Sequence, residues 1–196
     1  MKYEVIDNFL DEEYFGSLVN LITDKEKTGN FKMPWFFQSS VVDDAVVEGN
    51  LFYMVHPIYD QNVPWSDHYN SLIPLLEKLN TPGLLRIKAN LFPNTEILHE
   101  HPMHIDNDFP HSGALLSLNT CDGYTKLKDG TKIDSVANRV LLFDGSEKHC
   151  STTTTNVSAR INININYIQY QTKEQKKNAS TQTFDYSGRG ELPNNE

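Results

Sequence analysis

Residues 159–170, ARINININYIQY, alternate with a period of two. Arg160, Asn162, Asn164 and Asn166 fall on one side of an extended chain; Ile161, Ile163, Ile165 and Tyr167 fall on the other. The segment is therefore a strand with one wholly polar and one wholly apolar face. The apolar face must pack against a helix or a second sheet. The polar face is compatible either with water along a sheet edge or with the wall of a site.

A strand needs partners, and the sequence supplies them at sandwich-like spacing. LLRIKANLF (84–92), GALLSLN (113–119), GYTKLKDGTKIDSV (123–136) and NRVLLFDG (138–145) read as strands, with Asp129-Gly130 as a hairpin turn. The first third differs. YEVIDNF (3–9) reads as a strand, and DEEYFGSLVNLITD (11–24) as a helix capped by Asp11, with Phe15, Leu18, Val19 and Ile22 at helical spacing. Two strands are expected in 31–42 and 51–60, around the acidic stretch 43–50, before a second helix over 66–80. Ser66 is a possible cap for that helix, and Pro74 must kink it or begin a new segment. This order predicts a mainly β (α+β) fold, a double-stranded β-helix or jelly roll with supporting N-terminal helices. A single domain is expected over residues 1–170. Residues 171–196 are too polar and too rich in Gly and Asn to build a core, and read as a flexible tail.

The 196 residues, 38% of them hydrophobic, suit one well-packed domain. A formal net charge of −9 and the lack of a basic cluster interleaved with aromatics argue against nucleic acid as a partner. Charge interrupts the N-terminal segment, and nowhere do 18 apolar residues follow one another, so neither a signal peptide nor a membrane span is expected. Two cysteines, Cys121 and Cys150, are too few for a disulfide framework and suit free thiols in a reducing, cytoplasmic setting. Cys150 reads as a small packed residue.

The segment ILHEHPMHIDND (97–108) carries three histidines and three acids. On a strand, His104 and Asp106 would project to one face and offer an imidazole and a carboxylate to one ion. His149, 43 positions beyond Asp106, is a remote third ligand of the kind a jelly roll requires when distant strands converge. Two histidines and one carboxylate leave coordination positions open, as in non-haem Fe(II) oxygenases and unlike closed structural zinc sites. A zincin helix is excluded, because Met103 stands where its second histidine would be. If STTTTN (151–156) makes a hairpin turn, Arg160 lies directly across from His149, where its forked cation suits a bidentate carboxylate.

His104-x-Asp106, His149 and, eleven positions later, Arg160 resemble the motif of Fe(II)/2-oxoglutarate-dependent oxygenases, particularly the prolyl 4-hydroxylase-like group. VIDNFL, LRIKANLFPNTE and DGYTKLKDGTKIDSVANRVLLFDGSEKH extend the similarity over residues 3–170, to small oxygenases of marine phages. The resemblance implies Fe(II) on His104, Asp106 and His149. It further implies 2-oxoglutarate chelating the iron with its far carboxylate on Arg160, O2 as oxidant, and ascorbate as a possible auxiliary reductant. The reaction would couple oxidative decarboxylation of 2-oxoglutarate to hydroxylation of a C–H bond in a peptide or small molecule, in a host cytoplasm if the chain is phage-encoded. Animal prolyl hydroxylases usually hold the far carboxylate with lysine, so prolyl specificity does not follow. Where the family often offers a tyrosine to the cosubstrate, this sequence has Asn90 and Phe92. Asn90 and Asn162 are accordingly the candidate additional cosubstrate contacts.

His99, His101 and His111 have no assigned task, and His101 reads as solvent-exposed, with a place beside the site as the alternative. Trp35, Phe36 and Phe37 read as core aromatics, or else as the wall of a cleft beneath a 38–50 loop. A cupin is the rival fold assignment: His99-x-His101 with Asp106 imitates its metal motif, but leaves Arg160 without a task. A catalytically inactive jelly roll serving as a binding or structural module is the third reading. The identity of the substrate and the oligomeric state stay open.

Overall fold

The computed structural model describes residues 2–23, 33–41 and 51–169. In chain order these form β1 (Tyr3–Ile6), α1 (Glu12–Thr23), β2 (Phe36–Gln38), β3 (Tyr53–Asp60), β4 (Val63–Pro64), a 3₁₀ turn (Tyr69–Leu72), α2 (Ile73–Leu79), β5 (Gly83–Pro93), β6 (Ser112–Ser117), β7 (Tyr124–Leu127), β8 (Lys132–Asp134), β9 (Arg139–Asp144), β10 (His149–Ser151) and β11 (Ala159–Ile168). The expected stretch at 43–50 and the C-terminal tail at 171–196 lie outside the described residues.

Local chemistry sets the ends of these elements. Asp11 Oδ1 accepts the Tyr14 backbone N–H at 2.8 Å, satisfying an orphan donor in the first turn of α1. Pro74 divides the second helical region, occupying the first turn of α2 where its missing N–H costs nothing. Asp129-Gly130 turns β7 into β8, with Gly130 at φ +89°, a conformation that glycine adopts without strain.

The larger sheet is antiparallel, in the order β1-β9-β6-β11-β5-β3-β2 with β4 on β3; the smaller is β10-β7-β8. Both helices cover one face of the larger sheet. There Leu18, Ile22, Leu75, Leu76 and Leu79 meet Ile87, Ala114, Leu116, Val140, Ile163 and Ile165. Ile163 and Ile165 are wholly buried, and burying each stabilises by roughly 1.5–3 kcal/mol. A smaller apolar cluster of Leu127, Leu141 and Phe143 joins the opposite face to the smaller sheet. The result is a mainly β jelly roll, supported on one sheet by helices from the N-terminal half of the chain.

β11 is not an edge strand. It lies between β5 and β6, and its polar face is turned inward between the sheets, with Arg160, Asn162, Asn164 and Asn166 all buried. Nor does 151–156 make a hairpin. β10 pairs with β7 while β11 pairs with β5 and β6, so the chain crosses from one sheet to the other and Arg160 faces Phe92 rather than His149. The expectation of a buried Trp-Phe-Phe triplet holds only for Trp35, which packs against the core. Phe36 and Phe37, on β2 at the edge of the larger sheet, are exposed among the described residues.

Candidate active site

The floor of the site is a ladder of directly paired residues on β5 and β11: Phe92 with Arg160, Asn90 with Asn162, Lys88 with Asn164, and Arg86 with Asn166. Antiparallel partners share a face, so these polar side chains all enter the space between the sheets. Residues 101–106 form the opposite wall, running along the free edge of β10. His101 N–H donates to Ser151 O, His104 and His149 exchange backbone hydrogen bonds at 2.9 Å, and Asp106 N–H donates to Gly145 O. His104 is thus an isolated bridge residue, not part of a regular strand, yet the spacing of two still sends its side chain and that of Asp106 to one side.

His104, Asp106 and His149 each bring one ligand atom within 4.8 Å of the others. Their hydrogen bonds prepare them for a metal. His104 Nδ1 lies 3.3 Å from Pro102 O and His149 Nδ1 lies 3.0 Å from Glu147 O. A carbonyl oxygen only accepts, so Nδ1 carries a proton in each ring, and whenever a ring is neutral its Nε2 presents the lone pair. Burial, reinforced by the charge of His149, pushes the His104 imidazole down to about 4, so it is neutral at pH 7.

Asp106 is oriented from two sides. Arg86 donates to Oδ1 at 2.9 Å, while the amides of Asn166 and Asn164 donate to Oδ2 at 2.9 and 3.4 Å. Burial alone would raise its carboxyl, but the charges of His149, Lys88 and Arg86 and the Asn166 amide outweigh that and hold it at about 2. Such partners fix ligand orientation. Arg86 and the two asparagines were not foreseen as supports for this carboxylate.

Beside the triad lies a small cavity of about 40 Å³, lined among others by Tyr53, Lys88, Asn90, Thr125, Ser151 and Asn162. Arg160 is 1% exposed and stands behind its wall. One guanidinium nitrogen donates to Thr125 Oγ1 at 2.8 Å, and the group lies 5.5 Å from the centre of the Phe92 ring. Gly123 leaves room for the stem: a Cβ there would come within 2.8 Å of Arg160 Cδ. Arg160 Nε has no partner, and no carboxylate among the described residues pairs with this cation. Burial pushes its pKa down to about 10. A buried guanidinium without a counter-charge is costly, and an anionic ligand in the adjoining pocket would relieve that cost. The donor set fits a divalent metal, and the orphan cation suits a carboxylate ligand.

Asn90 and Asn162 line the pocket and bond to each other at 2.9 Å. Tyr53, which the sequence reading passed over, lines it too and stacks on Phe92 at 5.5 Å; its position on β3 gave no sign of proximity to the later motif. His101 is buried, not exposed. Its Nδ1 meets Ser151, its ring lies 5.2 Å from Phe92, and burial pushes its pKa down to about 4. Neither His99 nor His101 joins the ligand cluster, which removes the cupin-type assignment of the metal set. Cys150 is buried and its thiol is pushed up by burial, as suits a packed residue. No helix of the described residues is long and apolar enough to cross a membrane.

Neither a family model nor a curated protein matches this sequence. Solved structures do match in fold. A prolyl hydroxylase from Trichoplax adhaerens, in complex with a hypoxia inducible factor oxygen degradation domain peptide fragment, superposes with a TM-score of 0.60 at 16% identity, covering 93% of this chain and 87% of its own. A 2OG-Fe(II) oxygenase family oxidoreductase from Burkholderia pseudomallei gives 0.59 at 13% identity, covering 86% of each chain. A Pseudomonas putida prolyl-4-hydroxylase gives 0.56 at 16% identity, over 85% of this chain and 92% of its own. The jelly roll described above is the fold this chain shares with prolyl hydroxylases and 2OG-Fe(II) oxygenases.

Proposed function

We propose that residues 1–170 form an Fe(II)/2-oxoglutarate-dependent oxygenase domain that hydroxylates a C–H bond. The observation that carries this reading is the pairing of an open His-Asp-His set with a buried, anion-less arginine on the far side of one pocket. His104, Asp106 and His149 would hold the metal, and Arg160 would take the far carboxylate of 2-oxoglutarate. When bound, iron and cosubstrate supply the oxidising chemistry: O2 and 2-oxoglutarate are converted to succinate and CO2, and one oxygen atom passes to the substrate.

The chain's own contribution is positioning and electrostatics. Arg86, Asn164 and Asn166 keep the Asp106 carboxylate ionised and aimed; the Pro102 and Glu147 carbonyls hold the imidazoles in one tautomer. Thr125 and Phe92 steady the guanidinium, while Asn90 and Asn162 form the floor between its end of the pocket and the metal ligands. His149 and Arg160 are buried and the Asp106 side chain is 2% exposed, and this desolvation strengthens their contacts. The crystallised peptide complex of the Trichoplax neighbour supports a peptide as one substrate class, with small molecules as the other.

The test is calorimetry with Mn(II) as an inert substitute. Wild type and His99→Ala should bind one Mn(II), whereas His104→Ala and His149→Ala should lose it, and the Mn(II)-loaded wild type should then bind 2-oxoglutarate. Retained metal in His104→Ala, or no heat with 2-oxoglutarate, would sink the assignment.

A further inference from the structure

Three cations enter the inter-sheet space from the floor, and only one has an acidic partner. Arg86 pairs with Asp106. Arg160, at the far end of the ladder, is accounted for above by the cosubstrate's far carboxylate. Lys88 remains. It lines the pocket and forms no hydrogen bond or ion pair among the described residues. It is desolvated enough that burial, with the repulsion of Arg86, brings its ammonium down to about 8, against the pull of Asp106 and Asp60.

The charges of a loaded site leave Lys88 over. A divalent metal, Asp106, a dianionic cosubstrate and Arg160 sum to zero, and Arg86 is partly in water at 26% exposure. Lys88 and Arg160 stand on rungs four residues apart along the β5–β11 ladder, roughly 13 Å at about 3.3 Å per residue, so they belong to different ends of the floor. The direct partner of Lys88 on β11 is Asn164. That amide points its nitrogen at Asp106, since only the NH2 end can donate to a carboxylate. Its buried Oδ1, on a side chain that lines the same pocket, is therefore an acceptor with no donor. One rung thus presents an unpaired cation beside an unsatisfied acceptor, next to the metal ligands.

Resting on the oxygenase reading, we propose that Lys88 and Asn164 bind the primary substrate, and that this substrate carries a carboxylate beside an N–H donor, the head group of an α-amino acid. Lys88 takes the carboxylate and Asn164 Oδ1 accepts the N–H. A neutral prolyl residue inside a peptide has neither a carboxylate nor an N–H to offer this pair.

The test is calorimetric titration of the Mn(II)- and 2-oxoglutarate-loaded protein with the twenty free L-amino acids, their carboxamides and a capped neutral proline peptide. At least one free amino acid should bind. Capping its carboxylate should weaken it by about ten- to a hundredfold, the worth of a charge-assisted contact. Lys88→Met should impose a similar loss on the free acid but little on the carboxamide, and Lys88→Arg should restore part of the affinity. The proposal is overturned if no free amino acid binds, if acid and carboxamide bind equally, or if Lys88→Met leaves the affinity unchanged. Failure of 2-oxoglutarate itself to bind the wild type overturns instead the oxygenase reading beneath it.

Discussion

Replacing Arg160 with methionine should cost the fold little and the cosubstrate site almost everything. Burial holds the guanidinium's pKa down at about 10, well below its ordinary value, so keeping the charge in this desolvated place costs the fold stability. Its hydrogen bond to Thr125 Oγ1 and a long one, 3.5 Å, to Thr152 O offset part of that cost, and its Nε offsets nothing. Methionine keeps most of the stem's packing while removing the charge, so the ligand-free variant should match or exceed the wild type in stability. The assay is thermal unfolding of Mn(II)-loaded protein with and without 2-oxoglutarate. At a hundred times its dissociation constant, the cosubstrate should stabilise the wild type by about 2.7 kcal/mol. That is a rise of roughly 5–10 °C for a domain of this size. Arg160→Met should show almost none of it. If the ligand-free variant instead falls by more than about 2 kcal/mol, or keeps the full shift, then Arg160 is a structural residue and the reasoning fails.

Two other outcomes follow from the site. Asn166→Ala removes the 2.9 Å donor to Asp106 and should weaken Mn(II) binding by about ten- to a hundredfold, measured by calorimetry; unchanged affinity would show that Arg86 alone orients the carboxylate. Metal-free stability should fall as pH drops from about 6.5 toward 4, because His101 and His104, both held near 4 by burial, stay neutral in the fold while the unfolded chain takes up their protons. The two together give a slope of about 2.7 kcal/mol per pH unit within that window. His101→Gln should roughly halve it in urea titrations, and an unchanged slope would refute the assignment. Asp106, held near 2, acts in the same direction at lower pH: its contribution is complete above the ordinary carboxylate range and is lost as the pH falls through that range toward 2.

The sequence determined by itself whatever depends on neighbours a few residues apart. The alternation in β11, the Asp129-Gly130 turn, the Asp11 cap and the break at Pro74 are short-range chemistry, and each stands in the structure where the residues placed it. His104, Asp106 and His149 were legible for a similar reason, because two of them share a local spacing and the third follows a strand and a turn. Strand order was not legible, because it depends on which distant segments close on one another. Tertiary pairing made β11 a central strand, so its asparagines became a buried floor rather than a wetted edge. It also set Arg160 opposite Phe92 and placed the exposed Phe36 and Phe37 on the edge strand of the described sheet. Arg86, Lys88 and Asn90 alternate with Ile87 and Ala89 much as the asparagines alternate with isoleucines, so the two-faced nature of β5 was visible in the sequence. That its polar face meets the polar face of β11 beneath the metal ligands was decided only when the two strands paired.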